Sequence, residues 1–186
     1  MGGNRIVLEA EALAQEYLAD QLPKRWKHVS GVARQGTRIA PAFGDSGDLL
    51  VAACWLHDIG YSPEIAATGF HPLDGAKFLS TEGWDPRLCA LVARHSCAIR
   101  EARLRSLDAE LGRFPDEESA LRDALWYCDM TTNPIGEEVS VETRLAEILS
   151  RYGDGSVVFD FIQQATPDLV ESVRRTEEQI ESAQPI

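Results

Sequence analysis

The stretch LLVAACWLHDIG, residues 49–60, decides how this chain is read. Leu49 to Leu56 is the longest apolar run, and it carries no polar stripe of the kind that marks a surface helix. A helix that is apolar on every side belongs in a core. Yet this one ends on His57 and Asp58, two groups that are costly to bury without partners. One explanation is local: the pair is the polar end of a core helix, with Gly60 as its C-cap. The other is that the helix delivers both side chains to a site, and the rest of the chain must separate the two.

Upstream, apolar residues at helical spacing run from Leu8 to Leu22 (Leu8, Ala12, Leu13, Tyr17, Leu18) and stop before Pro23. A second helical pattern, from about Lys24 to Ile39, runs through Trp26, Val29, Val32 and Ala33 and places His28 on its early apolar face. Pro41 and the Gly44 to Gly47 stretch break it, and Asp45 or Ser46 is placed to cap the apolar helix. Downstream, GYSPEIAATGF (60–70) is rich in turn formers and reads as a loop or a short turn. His71 stands where regular structure resumes, with Pro72 in the first helical turn and an end near Gly83. Asp85 then caps a helix from Pro86, whose Leu88, Leu91 and Val92 precede His95.

Arg100 to Leu111 is helical in pattern but strongly charged, which predicts an exposed helix or arm. Glu117 to Met130 is amphipathic, with Leu121, Ala124, Leu125 and Cys128 facing inward and Asp129 at its end. Three further helices are expected over Ser140–Tyr152, Ser156–Ala165 and Asp168–Ser182, separated by GDG and by the Thr-Pro pair. No segment sustains period-two alternation, so the expected fold is all-α, a single-domain helical bundle over 1–186.

At 186 residues, 44% hydrophobic and 26% charged, the composition is that of an ordinary globular domain. A net charge of -12 and a pI near 4.7, with acidic residues spread along the chain, argue against nucleic acid or an anionic membrane as partner. The N-terminal segment has no apolar signal region, and Ile6 stands where a myristoylation signal requires Ser or Thr. Cys54, Cys89, Cys97 and Cys128 form no C-x-x-C pair and lie in apolar helical contexts, as reduced buried thiols of a cytoplasmic protein would.

There are four histidines, His28, His57, His71 and His95, each near the end or on the apolar side of a different predicted helix. None falls in the charged segments 100–118 or 140–186. Neutral imidazole and carboxylate are common ligands of transition-metal ions, and a buried ion compensates groups that would otherwise be costly to bury. With Asp58 and Asp129 the histidines make six ligands, enough for two ions if one carboxylate bridges.

The ordered set His28, His57-Asp58, His71, His95, Asp129 resembles the HD-domain superfamily of metal-dependent phosphohydrolases, whose defining pattern is H…HD…D. "HDIG" is a frequent form of the central motif, and "HPLDGA" and "RHS" resemble the places where two-metal members carry further histidines. The resemblance covers about residues 24–133 and leaves a C-terminal helical extension, about 138–186, outside it. It implies one ion held by His28, His57, Asp58 and Asp129, and a second held by His71 and His95, with Asp58 bridging. One or two divalent ions (iron, manganese, zinc, nickel or cobalt) fit such ligands, and ligand type does not choose among them.

The reaction that the resemblance implies is hydrolysis of a phosphate ester or anhydride of a small metabolite, with a nucleotide as the favoured class, a metal-bridging hydroxide as nucleophile and Asp58 orienting it. Lys77 and Arg94, near His71 and His95 in sequence, are candidate phosphate contacts, although an exposed helix charge is the preferred explanation of each. Lys24, Arg25 and Lys27 form a small basic cluster before His28 that either steers an anion or simply starts a solvated helix. Thr132 and Asn133 are candidates for the pocket mouth. Cys97 lacks an orienting partner for a nucleophile's role, and Trp26, Trp55, Trp84 and Trp126 read as core.

Two alternatives stay open. A minority of HD-fold proteins use the same six ligands for a di-iron oxygenase; no clear substrate-closing residue precedes His28, the polar choices being Glu16, Tyr17 and Gln21. A non-catalytic ligand-binding module is the other, and the complete ligand set argues against it. The final helices leave a homodimer open, with no interface legible.

Overall fold

The structure is a computed structural model that describes residues 3–183. The Met-Gly start considered for acylation lies outside the described residues. Two helices come before the apolar run and form part of its surroundings. α1 (Gly3–Leu18) buries Ala10, Ala14 and Leu18, three positions four residues apart on one stripe. Leu8 is exposed and Ala12 lies outside, so the buried face is rotated from the expected one, and the helix stops at Leu18 instead of Leu22. α2 (Pro23–Ile39) starts with proline in its first turn and buries His28, Val29, Val32, Ala33 and Ile39.

A 3-10 segment, Ala40–Ser46, leads into α3 (Gly47–Leu56), the apolar run itself. Neither Asp45 nor Ser46 caps it: Ser46 has a helical backbone already turning in the 3-10 segment, and no side-chain cap bond forms. α3 is packed by α1 and α2 and also touches the later helices α5 (Pro86–Arg94) and α8 (Ala120–Met130). That environment explains why its sequence shows no polar stripe.

Gly60 is not a left-handed C-cap. It is buried in the 3-10 turn Ile59–Tyr61, pressed against the start of α4 (His71–Thr81). A Cβ at this position would lie 2.1 Å from the His71 carbonyl oxygen and 2.6 Å from the Gly75 nitrogen. The glycine of HDIG is therefore a packing requirement that lets the turn after α3 meet the start of α4.

α5 begins as expected, with the Asp85 carboxylate accepting from the amides of Arg87 and Leu88. The charged stretch that follows is not one exposed arm. It breaks into α6 (Ala98–Leu104) and α7 (Asp108–Leu111), and Glu101, Ala102 and Leu111 are buried. α8 starts at Ala120 and not at Glu117, because Ser119 supplies the cap to Leu121 and Arg122. α9 (Val141–Arg151) is capped by Ser140.

The last two expected helices are one, α10 (Val157–Ala183), continuous through Pro167. A proline inside a helix costs about 3 kcal/mol. The stripe Ile162, Ala165, Leu169, Val173 continues at helical spacing across it and packs on α8, so burial outweighs the lost backbone bond. Among the described residues there is no strand, only an isolated bridge between Thr132 and Glu138, and no helix is long and apolar enough to cross a membrane. The protein is all-α. All four cysteines are buried and free of disulfides; Trp126 is buried, while Trp26, Trp55 and Trp84 pack against the core edge.

Candidate metal centre

The ends of four helices and the 3-10 turn after α5 bring His28, His57, Asp58, His71, His95 and Asp129 together. Asp58 stands between two groups. Its Oδ2 faces His57 Nε2 at 3.3 Å and His28 Nε2 at 3.8 Å, while its Oδ1 faces His71 Nε2 at 3.1 Å and His95 Nε2 at 3.9 Å. Within each group, His28–His57–Asp58 and Asp58–His71–His95, the potential ligand atoms lie within 4.8 Å of one another. Asp129 adds an oxygen 3.1 Å from His28 Nε2 and 3.9 Å from His57 Nε2.

The far ring nitrogens settle which atoms point inward. Nδ1–H donates to a backbone carbonyl in three of the four rings: His28 to Asn133 (3.1 Å), His57 to Cys54 (2.9 Å) and His95 to Val92 (2.6 Å). A neutral imidazole donating from Nδ1 presents a bare lone pair at Nε2. These lone pairs point at acceptors or at one another: His28 Nε2 meets Asp129 Oδ1, and His95 Nε2 lies 3.1 Å from His71 Nε2. His57 Nε2 is fully buried with no hydrogen-bond partner among the described residues. Acceptors converging with nothing to accept is the arrangement that a cation satisfies, so the residues present fit one ion in each group.

The two carboxylates, His28 and His95 have protonation states that agree with that fit. Burial alone would raise the Asp58 carboxyl, but Arg25 foremost, then His57 and His71, hold it well below the usual carboxylate range. Burial opposes ionisation of Asp129 too, and the adjacent imidazoles of His28 and His57 overcome it, so this carboxyl is also lowered. Burial lowers His28 against the pull of Asp129 and Asp58, and it lowers His95 to about 3 with His71 and His57 adding to the effect. Burial would lower His57 as well, yet Asp58 outweighs it and the net shift is upward. Both carboxylates are thus ionised at neutral pH, and His28 and His95 neutral, as metal ligands must be.

Several participants were not visible as such in the sequence. Arg25, read there only as part of a basic cluster, donates from a terminal nitrogen to Asp58 Oδ2 at 2.6 Å. It lies 4.0 Å over the Tyr61 ring, which in turn stacks 4.0 Å from the His71 ring. Its position three residues before His28 on one helix was the available signal. Ser96 donates its hydroxyl to Asp129 Oδ2, and it does so from a left-handed backbone (φ 46) followed by another at Cys97 (φ 61). Two consecutive non-glycine residues in that region carry strain, held here beside the site.

Other sequence candidates fall elsewhere. Lys77 pairs with Glu110, and the Arg94 guanidinium donates to the Phe114 carbonyl; neither lines the cavity at the centre. Thr132 is fully buried and bonded to the Cys128 carbonyl, and Asn133 contributes its backbone carbonyl to His28, so neither side chain stands at the mouth. Tyr17 packs edge-on against Phe78, and Gln21 bonds Glu64. Burial first, with Asp168 adding, raises the Cys97 thiol to about 11 against the pull of Arg100, which makes it a poor nucleophile.

Asp58, His71, His95 and Asp129 open onto a cavity of about 270 Å³. Its far side is formed by the C-terminal helices, through Arg144, Ile148 and Tyr152 near α9 and Phe161 and Ile162 of α10. The C-terminal helices therefore help shape the site.

No curated protein and no solved structure matches this sequence. A family profile does: that of the HD domain, over residues 25–153, a span that includes all six converging ligand residues and reaches past the expected limit at 133 to take in α9. The match covers more than half of a chain whose helix ends gather histidine and aspartate in this way, and the protein belongs to the HD-domain family.

Proposed function

We propose that this chain is a metal-dependent phosphohydrolase that cleaves a phosphate ester or anhydride of a small metabolite, with a nucleotide as the favoured class. The family is typically one of metal-dependent phosphohydrolases. The observation that carries the reading is Asp58, whose two carboxylate oxygens face two separate histidine groups. His28, His57, Asp58 and Asp129 would hold one ion, and His71, His95 and Asp58 the other. When bound, such a pair supplies a water whose pKa is lowered to about 7 and a positive clamp for phosphoryl oxygens.

The chain's own residues do the rest. Arg25 keeps Asp58 ionised and turned between the two groups, and Ser96 does the same for one oxygen of Asp129. The backbone carbonyls of Asn133, Cys54 and Val92 fix the tautomers of three histidines. Ile148, Phe161 and Ile162 give the cavity an apolar side that limits water at the reacting phosphoryl group.

The test is phosphate release from nucleoside mono-, di- and triphosphates and from dinucleoside polyphosphates, with manganese- and iron-loaded protein, alongside oxygen uptake. Phosphate release abolished by Asp58→Ala supports the reading. Oxygen uptake by the iron form without phosphate release would replace it with oxygenase chemistry, and binding without either would make the chain a ligand-binding module.

A further inference from the structure

Next to the metal centre lies a second cavity of about 470 Å³, lined among others by Lys24, Arg25, His28, Arg144 and Arg151 and, among the described residues, by no aspartate or glutamate. Arg25, Tyr61, Arg144 and Arg151 line both cavities and so form the partition between them. Four cationic side chains around one hollow are unusual in a protein of net charge -12.

The carboxylates that engage these cations are too few to neutralise them. Asp58 takes Arg25, and Glu147 alone takes both Arg144 (2.5 Å) and Arg151. Arg144 and Arg151 thus share one carboxylate, and among the described residues Lys24 pairs with none. Arg144 is 7% exposed, and its Nε has no hydrogen-bond partner among the described residues. A buried donor left unsatisfied is costly, and a guanidinium fork matches phosphate oxygens in particular.

From this partition we infer a second anion subsite, in which Arg144 and Arg151 receive a further phosphate group of the substrate. The substrate class is then a metabolite with at least two phosphate groups, one presented to the metal centre and another held by these arginines. A phosphomonoester at the metal centre leaves the excess positive charge of the Arg144–Arg151 pair unanswered; an additional phosphate answers it. The inference rests on the phosphohydrolase reading for the identity of the anion, while the charge balance and the orphan Nε stand without it.

The test uses the full chain loaded with manganese at constant free manganese, titrated calorimetrically with orthophosphate, pyrophosphate and tripolyphosphate. The wild type is expected to bind the longer anions at least 10-fold more tightly than orthophosphate. Arg144→Gln and Arg151→Gln should each cut that preference at least 5-fold, with bound manganese per chain retained. Arg151 is partly exposed, so its variant keeps the test alive if loss of the buried Arg144 harms folding. A preference unmoved in Arg151→Gln and in any folded Arg144→Gln protein overturns the subsite. Nucleotide turnover is scored separately: a preference that falls in the variants without wild-type turnover supports the subsite and sinks the hydrolase reading, and turnover with an unmoved preference does the reverse.

Discussion

Replacing Gly60 by alanine would test how the HDIG segment positions the second histidine group. The added methyl carbon would sit 2.1 Å from the His71 carbonyl oxygen, where ordinary contact begins near 3.4 Å, so the backbone must open by about 1.3 Å. The other close atom, the Gly75 nitrogen at 2.6 Å, is also backbone, so no side chain can swing aside to relieve the clash. Overpacking of this kind costs about 1–3 kcal/mol. For a chain of this size each kcal/mol lowers Tm by about 2–4 °C, which gives a drop of about 2–12 °C. The same movement displaces His71, at the start of α4, from the Asp58 oxygen it faces at 3.1 Å. Gly60→Ala should therefore lose the ion at His71 and His95 before the one at His28 and His57. Calorimetric melting and metal analysis on the same sample read both effects. A variant with wild-type Tm and two ions per chain would refute the packing argument.

Other consequences follow from the charges at the centre. Arg25→Met removes the cation from a buried carboxylate; as Arg25 is itself about a quarter exposed, the loss in metal-free protein should be about 2–3 kcal/mol, below the range for a fully buried pair. With ions bound, the destabilisation read by urea unfolding should fall to less than half of that, because they take over the compensation; an equal loss in both forms would sink the idea. In chelator-stripped protein, stability should fall as pH drops below about 6.5. His28 and His95 have lowered folded pKa values, that of His95 near 3, so their contribution is complete above 6.5 and is lost as the unfolded chain gains protons the folded one refuses. The slope approaches about 1.4 kcal/mol per pH unit for His95, His28 adds in the same direction, and His57, raised in the fold, contributes in the opposite sense only above 6.5. A urea midpoint flat between pH 6.5 and 4.5 would contradict this. Ser96→Ala removes the donor to Asp129 Oδ2 and should weaken binding of the ion at His28 and His57 by about 10-fold, measured by competition with a chelator; unchanged affinity would deny Ser96 a positioning role.

The all-α character was legible because helical periodicity and its punctuation are local. Asp85 caps α5 and Pro23 opens α2 through atoms only a few residues away. The misreadings arose where tertiary packing overrode local signals. Thr166-Pro167 looked like a stop, yet the apolar stripe of α10 continues across it; residues 100–111 looked exposed by charge, yet Glu101 is buried and bonded to Arg105. The six converging residues stood out because imidazole and carboxylate have few roles at the ends of apolar helices. Their surroundings did not. That Arg25 reaches Asp58, 33 residues away, or that Arg144 closes the cavity from α9, depends on long-range packing that no spacing encodes. Lys77 and Arg94 show the converse: nearness in sequence to His71 and His95 did not place them in the cavity, since each had a nearer partner in Glu110 or the Phe114 carbonyl.

The most direct test of the account is the number of metal ions per chain, by elemental analysis, in the wild type and in Asp58→Ala. Asp58 is the one residue shared by both ligand groups. The account predicts about two ions per wild-type chain after incubation with manganese or iron, and loss of both on the single substitution. A wild type that binds none, or an Asp58→Ala protein that keeps two, would contradict it.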